Sequence, residues 1–258
     1  MLWGTKRVEQ KLGYVADFCP ICREITPLVV YSVRKAAHVY YLKLGKGLLV
    51  GYVGKCQMCG TSIPVDARRY RRFLNRQEGD IEALIEQTYP QVRVEKAKRL
   101  EIERRIKSRE PISLGTRRQL LMEPFVILAI EVEKIFRQVP LDKRTKIGCL
   151  VLTILMAMAG CTTLAWLEEA PVLSTITGGL WILLIGVSVV YVLLEAYLTP
   201  RRLVRHRIIP LLAKSLEPLR PTQGELEEVL KALKKEGLRI GKVVKAETLY
   251  LAMKNTPR

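Results

Sequence analysis

Histidine is nearly absent from this chain, with two residues, His38 and His206, among 258. Acid–base chemistry near neutral pH would fall to carboxylates, and no two of them form a convincing catalytic pair. There is no glycine-rich phosphate loop, no Ser/His/Asp set and no internal repeat, so no enzymatic activity is expected. Residues 1–7 lack an apolar run, and no cleaved signal peptide is expected. Acidic residues are in deficit, 25 Asp and Glu against 43 Lys and Arg, for a net charge of +18. Charge itself is missing from residues 147–167, and residues 178–198 hold Glu195 alone.

Each of those two runs is long enough to cross about 30 Å of hydrocarbon as a helix. They predict a transmembrane hairpin over 142–200, with spans 147–167 and 178–198 and a connection over 168–177. Trp166 and Trp181 would mark the outer end and Tyr191 and Tyr197 the inner one. Lys143, Arg144 and Lys146 precede the first span, Arg201, Arg202, Arg205 and Arg207 follow the second, and the connection carries Glu168 and Glu169. This asymmetry places both termini in the cytoplasm of a bacterial-type inner membrane, with the short connection outside. Glu195 is expected to form an interfacial salt bridge with Arg201 or Lys146 rather than serve transport. Ala157, Gly160, Gly186 and Ser188 would allow close helix contact, with Cys149 and Cys161 as small packing residues.

The remaining four cysteines come in two pairs, Cys19-Pro20-Ile21-Cys22 and Cys56-Gln57-Met58-Cys59, separated by a 33-residue spacer. Each pair supplies two thiolates from one tight turn, and a folded hairpin between them would complete a four-sulfur metal site. A cytoplasmic head keeps thiols reduced, which favours metal over disulfides. The spacer is rich in strand formers over 28–33, 38–44 and 48–53, with Gly45-Lys46-Gly47 as the turn, predicting three short antiparallel strands. Gly60 follows Cys59, where a knuckle needs positive φ, whereas the first knuckle departs from that form with Arg23.

Residues 18–63 resemble the zinc-ribbon family with rubredoxin-like knuckles. The resemblance implies that Cys19, Cys22, Cys56 and Cys59 ligate one structural Zn2+ in a closed shell. Iron in the same four sulfurs, with electron transfer, is the minor alternative. His38 reads as a strand residue rather than a fifth ligand. Zinc ribbons serve in nucleic-acid binding, in protein contacts and as scaffolds, and the fold does not choose among these.

Residues 1–77 are thus expected to form the ribbon head together with a basic helix capped by Asp66. That helix would carry Arg68, Arg69, Arg71, Arg72 and Arg76 with Tyr70 and Phe73. With Tyr40, Tyr41 and Tyr52 nearby, the cluster offers contacts to nucleic-acid phosphates or anionic lipid headgroups, or rests as a solvated helix packed on the ribbon. Residues 78–118 read as a charged helical stalk, beginning with a short helix at Asp80 that Pro90 ends. In 119–141, Phe125, Leu128, Ala129, Val132, Ile135, Phe136 and Val139 share one helical face, predicting an interfacial helix on the membrane or one packed in a soluble domain. Residues 201–258 read as a cytoplasmic helical tail with Gly237 as a C-cap.

The whole is a multi-domain membrane protein: a small β zinc ribbon, helical segments, a two-helix transmembrane hairpin and a helical C-terminal module. The expected function is non-enzymatic, with the cytoplasmic head recruiting or scaffolding a protein partner. The alternative is a membrane-tethered nucleic-acid-binding module using the arginine cluster. No small-molecule substrate is implied.

Overall fold

The structure, a computed structural model, describes residues 3–39, 42–76, 79–137, 147–148, 150–151, 153–155, 157–158 and 171–255. The chain divides into two compact units, Met1–Glu131 with Ile209–Arg258, and Val132–Ile208. Segments read as head, stalk and tail therefore share one unit, and the apolar region is inserted between its two halves.

The first unit is built on a four-stranded antiparallel meander in chain order: β1 (Trp3–Cys19), β2 (Glu24–Val39), β3 (Leu42–Cys56) and β4 (Ser62–Val65). Near the cysteines both faces of β2 are covered, with Leu28 and Val30 buried on one and Val29 and Val33 on the other. That explains a continuous apolar run where a half-exposed strand would alternate.

The three strands expected between the cysteine pairs are two, because Gly45-Lys46-Gly47 is not a turn. Gly45 (φ 72°) and Gly47 (φ 70°) lie inside β3. Lys35 pairs with Leu48 and Ala37 with Leu44, so the glycines bulge out opposite Ala36. A Cβ on Gly47 would stand 2.6 Å from the Lys35 carbonyl oxygen. Positive φ serves a bulge as well as it serves a turn. The connection at residues 40–41 lies outside the described residues, and so do the side chains of Tyr40 and Tyr41.

The helix expected over 66–76 is one turn of 3-10 helix, Ala67–Arg69. Asp66 does cap it, accepting from the Arg68 amide at 3.1 Å. Non-local bonds then pull the chain straight. The Tyr70 hydroxyl donates to Asp17 at 2.7 Å. The Arg71 amide donates to the Thr88 carbonyl at 2.8 Å, and Leu74 exchanges backbone bonds with Tyr14. Gly13 permits that approach, since a Cβ there would stand 2.6 Å from the Leu74 carbonyl oxygen.

The stretch read as a stalk folds onto the sheet. Helix α1 (Ile81–Thr88) starts at Asp80, whose side chain accepts from the Glu82 amide, and ends before Pro90. Thr88 is fully buried and accepts from the Ala16 amide on β1 at 3.1 Å. A short helix α2 (Val92–Glu95) leads into α3 (Ala97–Lys107), and Val92, Glu103 and Ile106 are buried while Val94 is exposed.

Helix α4 (Leu114–Arg137) covers the segment read as interfacial. Phe125, Leu128 and Ala129 are buried within the protein, so this face is not free to lie on lipid. Val139 lies outside the described residues. The Glu131 carboxylate of α4 accepts from the Ser62 amide at the start of β4, 3.2 Å away.

In the second unit, the described residues between 147 and 158 are helical. Helix α5 (Pro171–Leu203) begins inside the expected connection, with proline at its first position as helix starts favour. A π turn, Val204–Ile208, ends the unit. Gly148 lies against Tyr191 so closely that a Cβ would collide with the phenol. Among the described residues one helix, Trp181–Leu219, is long and apolar enough to cross a membrane. Ile182, Leu183, Val187 and Leu193 on it are exposed. Glu195 pairs with Arg202 at 3.4 Å and accepts from Thr199 at 3.1 Å, while Arg201 stacks on Tyr197. Lys146, Cys149 and residues 159–170, including Gly160, Cys161 and Trp166, lie outside the described residues.

The chain then returns to the first unit as α6 (Ile209–Leu216), α7 (Gln223–Lys235), α8 (Ile240–Val243) and α9 (Ala246–Lys254). Thr222 and Glu225 form a capping box on α7, and Gly237 (φ 80°) ends it as expected. Leu212, Leu216, Leu226, Leu233, Ile240 and Leu249 make its core.

Candidate metal centre

β1 ends at Cys19, and the register Cys19↔Glu24 closes the first knuckle over residues 20–23. β3 ends at Cys56, which pairs with Leu28 on β2. The sheet therefore carries both cysteine pairs to one end. All four sulfurs lie within 4.8 Å of one another. Cys19 Sγ is 3.7 Å from Cys59 Sγ, and Cys22 Sγ is 3.8 Å from Cys56 Sγ. A tetrahedral site with metal–sulfur bonds of about 2.3 Å has sulfur–sulfur edges of about 3.8 Å. The four expected ligands are thus brought together and positioned to hold a metal ion, in a geometry compatible with a zinc ribbon.

The two knuckles have the same backbone. The Arg23 amide donates to the Cys19 carbonyl at 2.7 Å and the Gly60 amide to the Cys56 carbonyl at 2.9 Å. Arg23 has φ 63° and Gly60 φ 72°. The first knuckle departs in residue type only: an arginine occupies a left-handed position that glycine would fill at lower cost.

Its side chain has a use there. Arg23 is buried, and its Nε donates to Glu103 of α3 at 2.7 Å while Nη1 donates to the Ser215 carbonyl of α6 at 3.0 Å. Glu103 also faces Arg99 at 3.0 Å, and Arg99 pairs in turn with Glu123 of α4. The Ser215 hydroxyl reaches the Pro20 carbonyl at 3.5 Å. The first knuckle is thereby bolted to three helices. The second knuckle is more open, with Gln57 and Met58 exposed. Arg99, Glu103 and Glu123 were not foreseen; the only trace in the sequence is the arginine in a glycine position.

Cys19 and Cys56 are buried and Cys22 and Cys59 half-buried. Hydrogen bonds from Cys19, then Cys22 and Cys59, push the Cys56 thiol well below its ordinary range, and Cys59 falls to about 7, chiefly through Cys19. Cys19 moves up, first through Cys22. The Thr26 hydroxyl stands 3.4 Å from Cys56 Sγ, placed to donate to a thiolate. A cation among four sulfurs replaces the protons they otherwise share. Among the described residues no histidine or carboxylate joins the cluster. His38 pairs with Lys43 ten residues along β2 from Leu28, about 33 Å away at 3.3 Å per residue.

Arg68, Arg69, Arg71, Arg72 and Arg76 are all exposed, and Arg72 bonds Gln87. Tyr70, expected as a stacking platform, is buried edge-on between Phe73 and Tyr89 at centroid distances of 5.8 and 5.6 Å. Comparison with protein-family models, with curated proteins and with solved structures finds no match for this chain.

Proposed function

We propose that this chain is a non-enzymatic, membrane-anchored scaffold whose cytoplasmic zinc-ribbon head recruits a protein partner. One observation carries the topology. Residues before and after the apolar insertion fold into one compact unit. That favours both halves on the same side of a bilayer, and so an even number of crossings. This supports two spans, 147–167 and the apolar part of α5, with both termini inside by the flanking basic residues. The Gly148–Tyr191 contact suits an antiparallel hairpin, since it joins the inner end of the first span to the inner half of the second.

Cys19, Cys22, Cys56 and Cys59 would hold the zinc, and four thiolates leave no position for water, so the ion supplies cross-linking rather than catalysis. Recruitment is supported by the outer part of β3, where β4 pairs with Tyr52 to Lys55 and, among the described residues, no strand pairs with the earlier edge. Leu48, Leu49 and Val50 are 81%, 48% and 58% exposed on that strand. Apolar side chains beside an open strand edge suit a protein contact.

A photo-crosslinker at Leu48 in native membranes should give a discrete adduct that disappears in Cys56→Ser, while one at Lys235 gives none. Absence of any Leu48 adduct would remove the recruiting role. Glu168→Cys should be labelled by an impermeant thiol reagent from outside and a C-terminal tag should not; the reverse pattern overturns the topology.

The five exposed arginines favour one second reading, a membrane-tethered nucleic-acid binder without base stacking on Tyr70. It requires binding that weakens steeply with salt and is lost when Arg68, Arg69, Arg71 and Arg72 are neutralised.

A further inference from the structure

We propose that the cleft between the C-terminal end of α3 and the turn at residues 217–220 binds a phosphoryl-type dianion, from a soluble phosphate or from a lipid headgroup. The cleft has a volume of about 490 Å³, within the range of small-ligand sites. Ile106 and Leu219, both buried, contribute its apolar lining. Lys107, Arg109, Arg117 and Arg220 surround it, against Glu110 and Glu217. Glu110 is already paired with Arg104 at 3.3 Å. Arg117 is held at the wall by Glu225, 2.7 Å away, and by the Arg220 carbonyl at 3.4 Å. Among the described residues no carboxylate lies within ion-pair distance of Lys107, Arg109 or Arg220. Three cations thus face one unengaged carboxylate, Glu217.

Two of these cations stand where arginine is disfavoured. Arg109 has φ 61° and Arg220 φ 45°. Arg109 ends α3, with its amide on the Ile106 carbonyl at 3.2 Å and the next amide on the Arg105 carbonyl at 2.9 Å. Arg220 ends the 3-10 turn Glu217–Leu219. Glycine is the usual residue at such termini. Arg23 shares the conformation but spends its side chain on a buried ion pair, whereas Arg109 and Arg220 have no such partner among the described residues and line the same cleft. Guanidinium forks beside an ammonium group match the oxygens of a phosphoryl group. The terminating amide bonds account for the backbone at both positions but not for an arginine there, and side chains with no partner among the described residues are free to meet a ligand.

The test uses the full zinc-loaded chain in non-ionic detergent, titrated calorimetrically with pyrophosphate. A parallel arm uses dihexanoyl phosphatidic acid, with dihexanoyl phosphatidylcholine as control. Saturable binding of one probe molecule per chain is expected, weakened about tenfold or more in Arg109→Gly/Arg220→Gly and tightened in Glu217→Gln. The double variant should melt no lower than the parent, because glycine relieves both left-handed positions. Binding of pyrophosphate alone assigns the cleft to soluble phosphates, and binding of phosphatidic acid alone to headgroups. The proposal falls if neither probe saturates at millimolar concentration, if the double variant binds unchanged, or if it melts lower. It also falls if binding is lost only on neutralising Arg68, Arg69, Arg71 and Arg72.

Discussion

Replacing Glu103 with glutamine removes one charge from a sealed joint and almost none of its volume. Arg23 and Glu103 have side-chain exposures of 5% and 6%, so solvent cannot take over from the missing carboxylate. The Arg23 guanidinium would keep the Ser215 carbonyl, but its Nη2 already has no partner among the described residues. Breaking a buried pair on one side costs about 3–5 kcal/mol, and the existing unsatisfied nitrogen argues for the lower end, about 3. Arg23→Gly should cost less, because Glu103 keeps the Arg99 charge at 3.0 Å, an ion pair without hydrogen-bond geometry. Glycine also recovers about 1–2 kcal/mol of left-handed strain. In the double variant the second change should add little, so a double-mutant cycle gives strong positive coupling. The assay is thermal unfolding of the zinc-loaded chain in detergent, followed by circular dichroism and by release of zinc to a chromophoric chelator. Both signals should fall together in Glu103→Gln. A Glu103→Gln variant within about 0.5 kcal/mol of the parent would refute a structural role for the joint.

Stripping the metal, or Cys56→Ser, should leave the sheet end protease-sensitive while the protein stays in the membrane fraction; a protease-resistant metal-free head would contradict the structural assignment. Purified metal-loaded protein should be colourless by absorbance, and iron–thiolate bands would overturn zinc. Tyr70→Phe deprives buried Asp17 of a 2.7 Å donor and should cost about 1–3 kcal/mol in chemical denaturation. Glu225 is held down to about 2 by Arg117 and then by its Thr222 cap. Its folded value lies below the unfolded one, so its contribution is present above the ordinary carboxylate range and is lost as pH falls toward 2. NMR titration of the Glu225 carboxyl should show this and return toward about 4.3 in Arg117→Ala.

What could be read from the chain alone was whatever local spacing encodes. The two cysteine pairs, the Asp66 and Asp80 caps, the Pro90 stop and the Gly237 C-cap each depend on a few neighbouring residues, and each is found in the structure. Elements set by distant partners were missed. The arginine segment has the composition and the cap of a helix, yet Asp17, Thr88 and Tyr14 claim its side-chain and backbone groups from more than ten residues away. The glycines at 45 and 47 announce positive φ but cannot say whether a strand turns or bulges there. β1, Trp3–Cys19, has no counterpart among the expected strands, because residues 3–11 hold no sustained apolar alternation and the strand is set by its pairing with β2. The interfacial face of α4 has the right periodicity, but periodicity does not distinguish lipid from a protein core.

The left-handed arginines show how a local departure becomes informative once the fold is known. All three described non-glycine residues with positive φ are arginine: Arg23, Arg109 and Arg220. Each carries backbone strain of about 1–2 kcal/mol that glycine would relieve. At Arg23 a buried ion pair outweighs that strain, so glycine lowers stability. At Arg109 and Arg220 there is no ion pair among the described residues, so glycine should raise stability by roughly 0.5–1 kcal/mol after its larger unfolded-state entropy is subtracted. The same substitution thus carries opposite signs at positions with the same backbone, and only the side-chain partner differs.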